Sequence, residues 1–390
     1  MTRIALTLLA IPTLLFLYAY VGYPLLLAAM GERARRHAPP SRDPAEWPEI
    51  TVAIPAYNAE RSIARTLDAL LATDYPAERR HVLVVSDGST DSTDEIVRAY
   101  AGRGVELLRQ PRRGGKTAAE NAAASRLRGT VVVNTDATIV IPPASLKHLV
   151  RPFQDASIGV VSGRDVSVAL NEADASRGEA GYSGYEMWVR SLESRSGLIA
   201  GATGSLYAAR RELHRADLPP ELTRDFASTL DAYERGWRTV AVDDATCLVA
   251  RAPSLRAELR RKARTMAHGV DTLWHYRRLM NPWRHGRFAL MLVSHKLCRW
   301  LFFATLPLGL IGLALASASS MLASLALALA LVAVLTGAAA LLAPEHRSLP
   351  TPVALCGYAM VAILASLIAW GKFLRRERVL VWEPTARAGE

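Results

Sequence analysis

Residues 51–93 read TVAIPAYNAERSIARTLDALLATDYPAERRHVLVVSDGSTDST, and no other stretch limits the fold as strongly. A short apolar run, Val52, Ala53 and Ile54, opens into Pro55, Ala56, Tyr57, Asn58 and Glu60. A second run, residues 82–85, opens into Ser86, Asp87, Gly88, Ser89, Thr90 and Asp91. Between them Ile63, Leu67, Leu70 and Leu71 recur at helical spacing over 61–72. Parallel strands need a crossover, and a helix with one apolar face supplies it while covering the sheet. Ligands of such sheets bind beyond the carboxyl ends of the strands. Both polar turns fall there, so they are expected to form one site.

The alternation continues downstream. Residues 90–100 read as a helix with Asp91, Asp94 and Glu95 in its first turn, where acids suit the helix dipole. Strands are expected at 105–108, 130–134, 158–162, 205–208 and 239–242, with a polar helix at 116–128. This makes an open α/β domain over 49–284, joined through a proline-rich linker, 32–48, to an apolar segment at 1–31.

The apolar residues are unevenly spread. From Ile4 to Met30 there is no charge, and at about 1.5 Å per residue this spans a bilayer. It exceeds the roughly 7–15 residues of a signal-peptide core, so a retained anchor is expected. Arg33, Arg35 and Arg36 follow it and place the next segment in the cytoplasm by the positive-inside rule. Residues 301–343 are long enough for two membrane helices, split near Ser317, Ser319 and Ser320, and residues 353–370 for a third. Membrane helices are thus expected over 301–374, an amphipathic interfacial helix over 285–300 and a tail over 375–390. One amino-terminal and three carboxyl-terminal spans put the basic stretch 372–378 outside. Either one segment is re-entrant or the charge rule is broken.

The net charge of +11 does not imply nucleic acid. Much of it flanks the apolar segments, at 33–36, 256–264, 277–287 and 372–378, as a collar for anionic lipid would. No nucleic-acid-binding module is present. The three cysteines form no C-x-x-C pair and the nine histidines no H-E-x-x-H, which removes a disulfide framework and a zinc site from consideration.

The turns P-A-Y-N-x-E and D-G-S-T-D at this spacing resemble the nucleotide-sugar site of glycosyltransferase family 2. The resemblance implies a GT-A-like fold, with Pro55, Ala56, Tyr57 and Glu60 lining the nucleoside pocket and Asp87 reading the uracil-like edge. Gly114-Gly115-Lys116-Thr117 is no P-loop, since Gln110 stands where that motif needs glycine. With Asn121 it resembles the family's G-K-x-x-A-x-N segment, where Lys116 meets phosphate or sugar. The alternative is a solvated lysine on a turn.

Residues 131–138, VVVNTDAT, place Asp136 at the first position of the family's D-x-D, which holds a divalent metal on the donor diphosphate. Hard cations such as Mg2+ and Mn2+ take carboxylate, phosphate and water oxygens. Asp136 is the implied ligand, with Thr138 in place of the second acid. The glycine-rich run from Gly197 to Leu213 resembles the acceptor half of the family. Upstream, Tyr185, Glu186, Trp188 and Glu193 fall on one helix, and its aromatics suit either sugar stacking or packing. Asp225, in Thr223-Arg224-Asp225-Phe226, matches the acid that deprotonates the acceptor hydroxyl in the family; otherwise it and Thr223 only cap a helix over 226–235. Arg261 and Arg264 fall where synthases of the family carry Q-x-x-R-W. They would clamp the diphosphate or, alternatively, face lipid head groups.

The resemblance implies a bacterial inner-membrane enzyme with its catalytic domain in the cytoplasm. It would move a sugar, with inversion, from a nucleotide diphosphate sugar to a lipid-linked or polysaccharide acceptor. A processive synthase-translocase is the alternative within enzymes, weakened by the missing glutamine and tryptophan. A membrane binding or scaffold protein with a degenerate donor site is the alternative outside them, since Ser86, Thr138 and Arg224 each replace an expected acid. A dehydrogenase is a poorer reading still, because no G-x-G-x-x-G follows any strand.

Overall fold

The computed structural model describes residues 3–31, 40, 42–168, 177–250, 252, 254–344 and 349–378. Its packing separates an α/β unit, formed mainly by residues 30–168 and 185–251, from a helical unit formed by 1–29, 169–184 and 252–378. Arg33, Arg35, Arg36, most of the expected linker and most of the expected tail lie outside the described residues.

The helical unit opens with α1 (Arg3–Phe16) and α2 (Tyr23–Gly31), joined by a π-helical stretch. The α/β unit follows as β1 (Ile50–Ala56), α3 (Ile63–Leu71), β2 (Arg80–Ser86), α4 (Thr93–Ala99), β3 (Val105–Arg109), α5 (Lys116–Ala123) and β4 (Val131–Thr135). It continues through α6 (Ser145–Val150), β5 (Ile158–Val168), α7 (Arg177–Ser194), β6 (Leu206–Arg210), α8 (Arg224–Glu234) and β7 (Arg238–Ala250). The strands form one sheet in the order β3-β2-β1-β4-β6-β5-β7. β3, β2, β1 and β4 run parallel, while β6 is antiparallel to both of its neighbours.

That single reversal positions the site. Thr135 at the carboxyl end of β4 pairs with Leu206 at the amino end of β6. The turn before β6 therefore lies on the same sheet edge as the turns after β1, β2 and β4. The central strands are apolar on both faces: Val52, Ile54, Leu83, Val84 and Val133 are all fully buried, as a sheet covered on two sides requires. β5 and β7 outrun the expected strands. Beyond the core they pair with each other, from Arg164–Thr246 to Val168–Ala250, where backbone hydrogen bonds rather than apolar pattern extend the strand.

In the helical unit α9 (Leu255–His275), α10 (Pro282–Met291), α11 (Arg299–Ser317), α12 (Met321–Leu342) and α13 (Thr351–Arg375) follow. Among the described residues four helical stretches are long and apolar enough to cross a membrane: Arg3–Met30, Pro282–Ser317, Met321–Leu342 and Thr351–Arg375. The break expected near Ser317–Ser320 is present, with Ser320 Oγ capping α12 by accepting from Ala323 N at 3.3 Å. Residues 285–300 form no separate helix. They run through a π-helical stretch, Leu292–Cys298, directly into α11. Helix α9 packs along α13, so the chain divides near residue 251 rather than 284. Small residues permit other close contacts in this unit: a Cβ at Gly312 on α11 would lie 3.1 Å from the Ala5 carbonyl oxygen of α1, and one at Gly337 on α12 only 2.7 Å from that of Cys356 on α13.

His214, in the segment between β6 and α8, is partly buried, with Nε2 donating to the Glu120 carbonyl at 2.7 Å. Burial and the nearby Arg224 charge push its pKa down from 6.5 to about 3. The folded state therefore resists a proton that the unfolded chain takes up, and stability is lost as pH falls below the unfolded value. Between roughly pH 6 and pH 4 this group should cost about 1.4 kcal/mol per pH unit. Denaturant unfolding of wild type and His214→Gln at pH 7 and pH 5 checks this. The variant should lose less stability on acidification, and equal losses would remove His214 as the cause.

Candidate active site

The first two polar turns are laced together. Asn58, held at a positive φ of 46°, accepts from Thr90 N at 2.8 Å through Oδ1. Its own N–H donates to Ser89 Oγ at 3.2 Å. Glu60 N donates to Asp91 Oδ2, and Glu60 Oε2 accepts from Ser92 N, both at 3.1 Å. Pro55 and Ala56 are buried at the end of β1, beneath the turn. Tyr57 is partly exposed, and the Arg113 guanidinium lies over its ring at 3.8 Å, a cation–π contact. Arg113 has no motif around it and was not expected; only its place beside Gly114-Gly115-Lys116 marks it.

Asp87 follows β2 and is 1% exposed. Its two carboxylate oxygens accept from Gly114 N and Gly115 N, each at 2.8 Å. Burial holds its carboxyl above the ordinary range, against the pull of those two bonds. In this structure Asp87 thus fastens the glycine turn that leads into α5. Gly88 needs its left-handed backbone, φ 70°, since a Cβ there would also lie 3.0 Å from Arg113 N.

The glycine turn sends Lys116, first residue of α5, across the sheet edge. Its Nζ donates to Asp136 Oδ1 at 2.6 Å and approaches the Gly204 carbonyl at 3.4 Å. Burial opposes the Lys116 charge, but the carboxylates of Asp136, Glu120 and Asp225 outweigh it and hold the ammonium above its usual range. Asp225, in the first turn of α8, is partly exposed. A Cβ on Gly204 would lie 3.3 Å from its Oδ2, so glycine leaves the carboxylate room there. Thr223 is the N-cap residue of α8, its carbonyl accepting from Ala227 N at 2.9 Å, without a side-chain capping bond. Lys116, Asp136, Gly204 and Asp225 thus gather from four separate segments onto one edge.

The Gly204 turn is braced by a residue that carries no sequence signal. Asp165 Oδ2 accepts from Thr203 Oγ1 at 2.8 Å and Ser205 Oγ at 3.2 Å. Asp165 lies in the polar outer part of β5, and only the pairing with β7 explains its place. Glu193, buried in α7, accepts from Ala200 N at 3.0 Å, which favours a packing role there. Trp188 is half exposed, with its ring centroid 5.7 Å from that of Tyr185.

Arg261 and Arg264 belong to α9 in the helical unit, and the α/β unit builds its cluster from its own residues. Arg261 forms a two-point ion pair with Glu258, at 2.8 Å for each bond. Among the described residues no three His, Cys, Asp or Glu side chains converge as an all-protein metal site requires. One partly exposed carboxylate, Asp136, suits a hard cation that takes its remaining ligands from diphosphate and water.

Residues 51–215 match the family described as glycosyl transferase family 2. An N-acetylglucosaminyltransferase of Mesorhizobium japonicum is 28% identical over 246 residues, covering 57% of this chain and 56% of its own. A beta-monoglucosyldiacylglycerol synthase of Synechocystis sp. is 25% identical over 279 residues, covering 67% and 52% respectively. The chain therefore spans about half the length of these relatives. The solved structure of the mannosyltransferase PcManGT from Pyrobaculum calidifontis, in complex with GDP-Man and Mn2+, matches with a TM-score of 0.69 at 26% identity. That match covers 94% of this chain and 99% of the other. Residues 51–215 thus carry a glycosyl transferase family 2 domain, and the solved relative that matches nearly end to end shares its GT-A-like fold.

Proposed function

We propose that the protein is a membrane-bound, inverting glycosyltransferase acting at the cytoplasmic face. Its donor is a nucleotide diphosphate sugar, uridine-linked, and its acceptor a lipid-linked or polysaccharide hydroxyl. The observation that carries the reading is the gathering of Lys116, Asp136, Gly204 and Asp225 at the carboxyl edge of the sheet. Four helices apolar enough to cross a membrane support a lipid-borne acceptor, as does similarity to a protein named for glycolipid synthesis.

In this reading the Asp225 carboxylate takes the proton of the acceptor hydroxyl. The oxygen then attacks the anomeric carbon from the side opposite the diphosphate. The new C–O bond forms as the bond to the diphosphate oxygen breaks, and the configuration inverts. Lys116 offers its ammonium to charge developing on the departing diphosphate. A divalent cation, Mg2+ or Mn2+, would be held by Asp136 and would offset the same charge when bound. Arg261 and Arg264 are guanidinium candidates for that anion on chemistry alone. Pro55, Ala56, Tyr57 and Glu60 shape the nucleoside side. Asp87 acts there through the turn it fastens, with base reading as its second role.

Asp225→Asn should lower transfer from a labelled nucleotide sugar by about 10²–10⁴-fold, the usual contribution of a general base, with donor affinity within a few fold of wild type. Membranes supplied with native lipid acceptors are the medium to use, and undiminished transfer in the variant would end the base assignment. Independently, chelation should weaken donor binding, and Mn2+ or Mg2+ should restore it. Asp136→Asn should abolish that restoration; a variant still rescued by either ion would place the ion elsewhere.

A further inference from the structure

Arg224 departs from the family pattern by putting a cation next to the proposed base, and the structure shows where that charge goes. Its guanidinium is buried while Asp225 is partly exposed, and both Arg224 and Glu120 are only 3% exposed. Arg224 Nε lies 3.4 Å from Glu120 Oε2 on α5, and Nη2 donates to the Asn121 side chain. We propose that the buried Glu120–Arg224 pair positions the Asp225 carboxylate and sets the charge it experiences, making both residues positioning residues of the transfer reaction. This rests on the reading of Asp225 as base.

Helix α5 carries Lys116, and α8 carries Asp225. Neutral groups already join the two segments: Thr117 Oγ1 donates to the Leu222 carbonyl at 2.7 Å and Asn121 Nδ2 to that of Leu218 at 2.8 Å. His214 adds its bond to the Glu120 carbonyl. Attachment alone therefore needs no ions, and burying two of them carries a desolvation cost. What the pair adds is electrostatic. A permanent guanidinium charge beside Asp225 would weaken it as a base, and Glu120 cancels that charge. Burial holds the Glu120 carboxyl above the ordinary range, against the pull of Lys116 and Arg224.

The other titratable groups around Asp225 are Lys116 on α5, Asp136 after β4 and Tyr207 on β6, with His214 and Asp217 near Arg224 ahead of α8. None of them balances Arg224 as directly as Glu120 does. Both members of the pair are only 3% exposed, which fits positioning rather than donor contact.

The test is the pH profile of kcat/KM for the full-length protein in detergent or membranes. Glu120→Gln leaves Arg224 unmatched, so the acid limb should move down. Arg224→Gln leaves a buried negative charge, so the limb should move up. The two variants should differ by about one pH unit or more, as a unit charge a few ångströms away implies. Each should lower kcat by roughly 10-fold at unchanged donor KM, the loss expected when a base is displaced without loss of donor contacts. Limbs that coincide with wild type, or move together, would overturn the proposal even though Asp225→Asn is inactive. Wild type that transfers nothing would instead remove the enzyme reading itself. If the single variants fail to fold, Glu120→Asp keeps the charge but shortens its reach. A lower kcat at constant donor KM then supports the pair's role, and an unchanged kcat overturns it.

Discussion

Three carboxylates, Asp136, Glu120 and Asp225, lie near enough to the Lys116 ammonium to keep it charged despite burial. In return Lys116 lets acids from separate segments share one sheet edge without mutual repulsion. It bridges the turn after β4 to the turn before β6 through Asp136 Oδ1 and the Gly204 carbonyl. Remove that charge and the edge is left with carboxylates that favour each other's protonation. The same arrangement suits a site awaiting an anion, because a diphosphate can take the ammonium while a cation takes the carboxylate.

Everything that aims Lys116 serves this arrangement. Asp87 holds the glycine turn by two backbone N–H groups, and the Asn58 and Glu60 turn is bonded to the Ser89–Ser92 turn beside it. Hydrogen bonds to ionised acceptors are stronger than neutral ones, which favours acids at these bracing positions. Asp165, on the strand next to β6, does the same for the Gly204 turn. The site is thus a set of turns, most of them fixed by an acid belonging to another turn or strand and the turn after β4 by Lys116. The helical unit follows other rules. Its helices meet where Gly309, Gly312, Gly337 and Gly357 leave no side chain in the way, and its basic helix α9 neutralises part of its own charge through Glu258.

Periodicity revealed the strands, their order of types and the four apolar helices, because burial on two faces and membrane length leave strong marks in composition. It missed the outer parts of β5 and β7, where pairing rather than burial extends the strand. Lys116, Asp136 and Asp225 could each be singled out because each lies in a local motif. Glu120, Asp165, His214 and Arg113 could not, since each acts on a partner distant in sequence.

By itself, then, the order of residues determined a sheet of βα units with polar turns at one edge, a flanking set of apolar helices, and which turn residues had chemistry to offer. These are local properties, set by spacing, backbone propensity and hydropathy. Only the tertiary structure decided that β6 runs backwards and brings Gly204 to Asp225. It also decided that Asp87 serves the glycine turn, and that the unexpected cation at 224 is cancelled inside the fold by Glu120. Charge compensation depends on distance in space, and these partners lie on strands and helices whose meeting is set by the packing of the whole sheet.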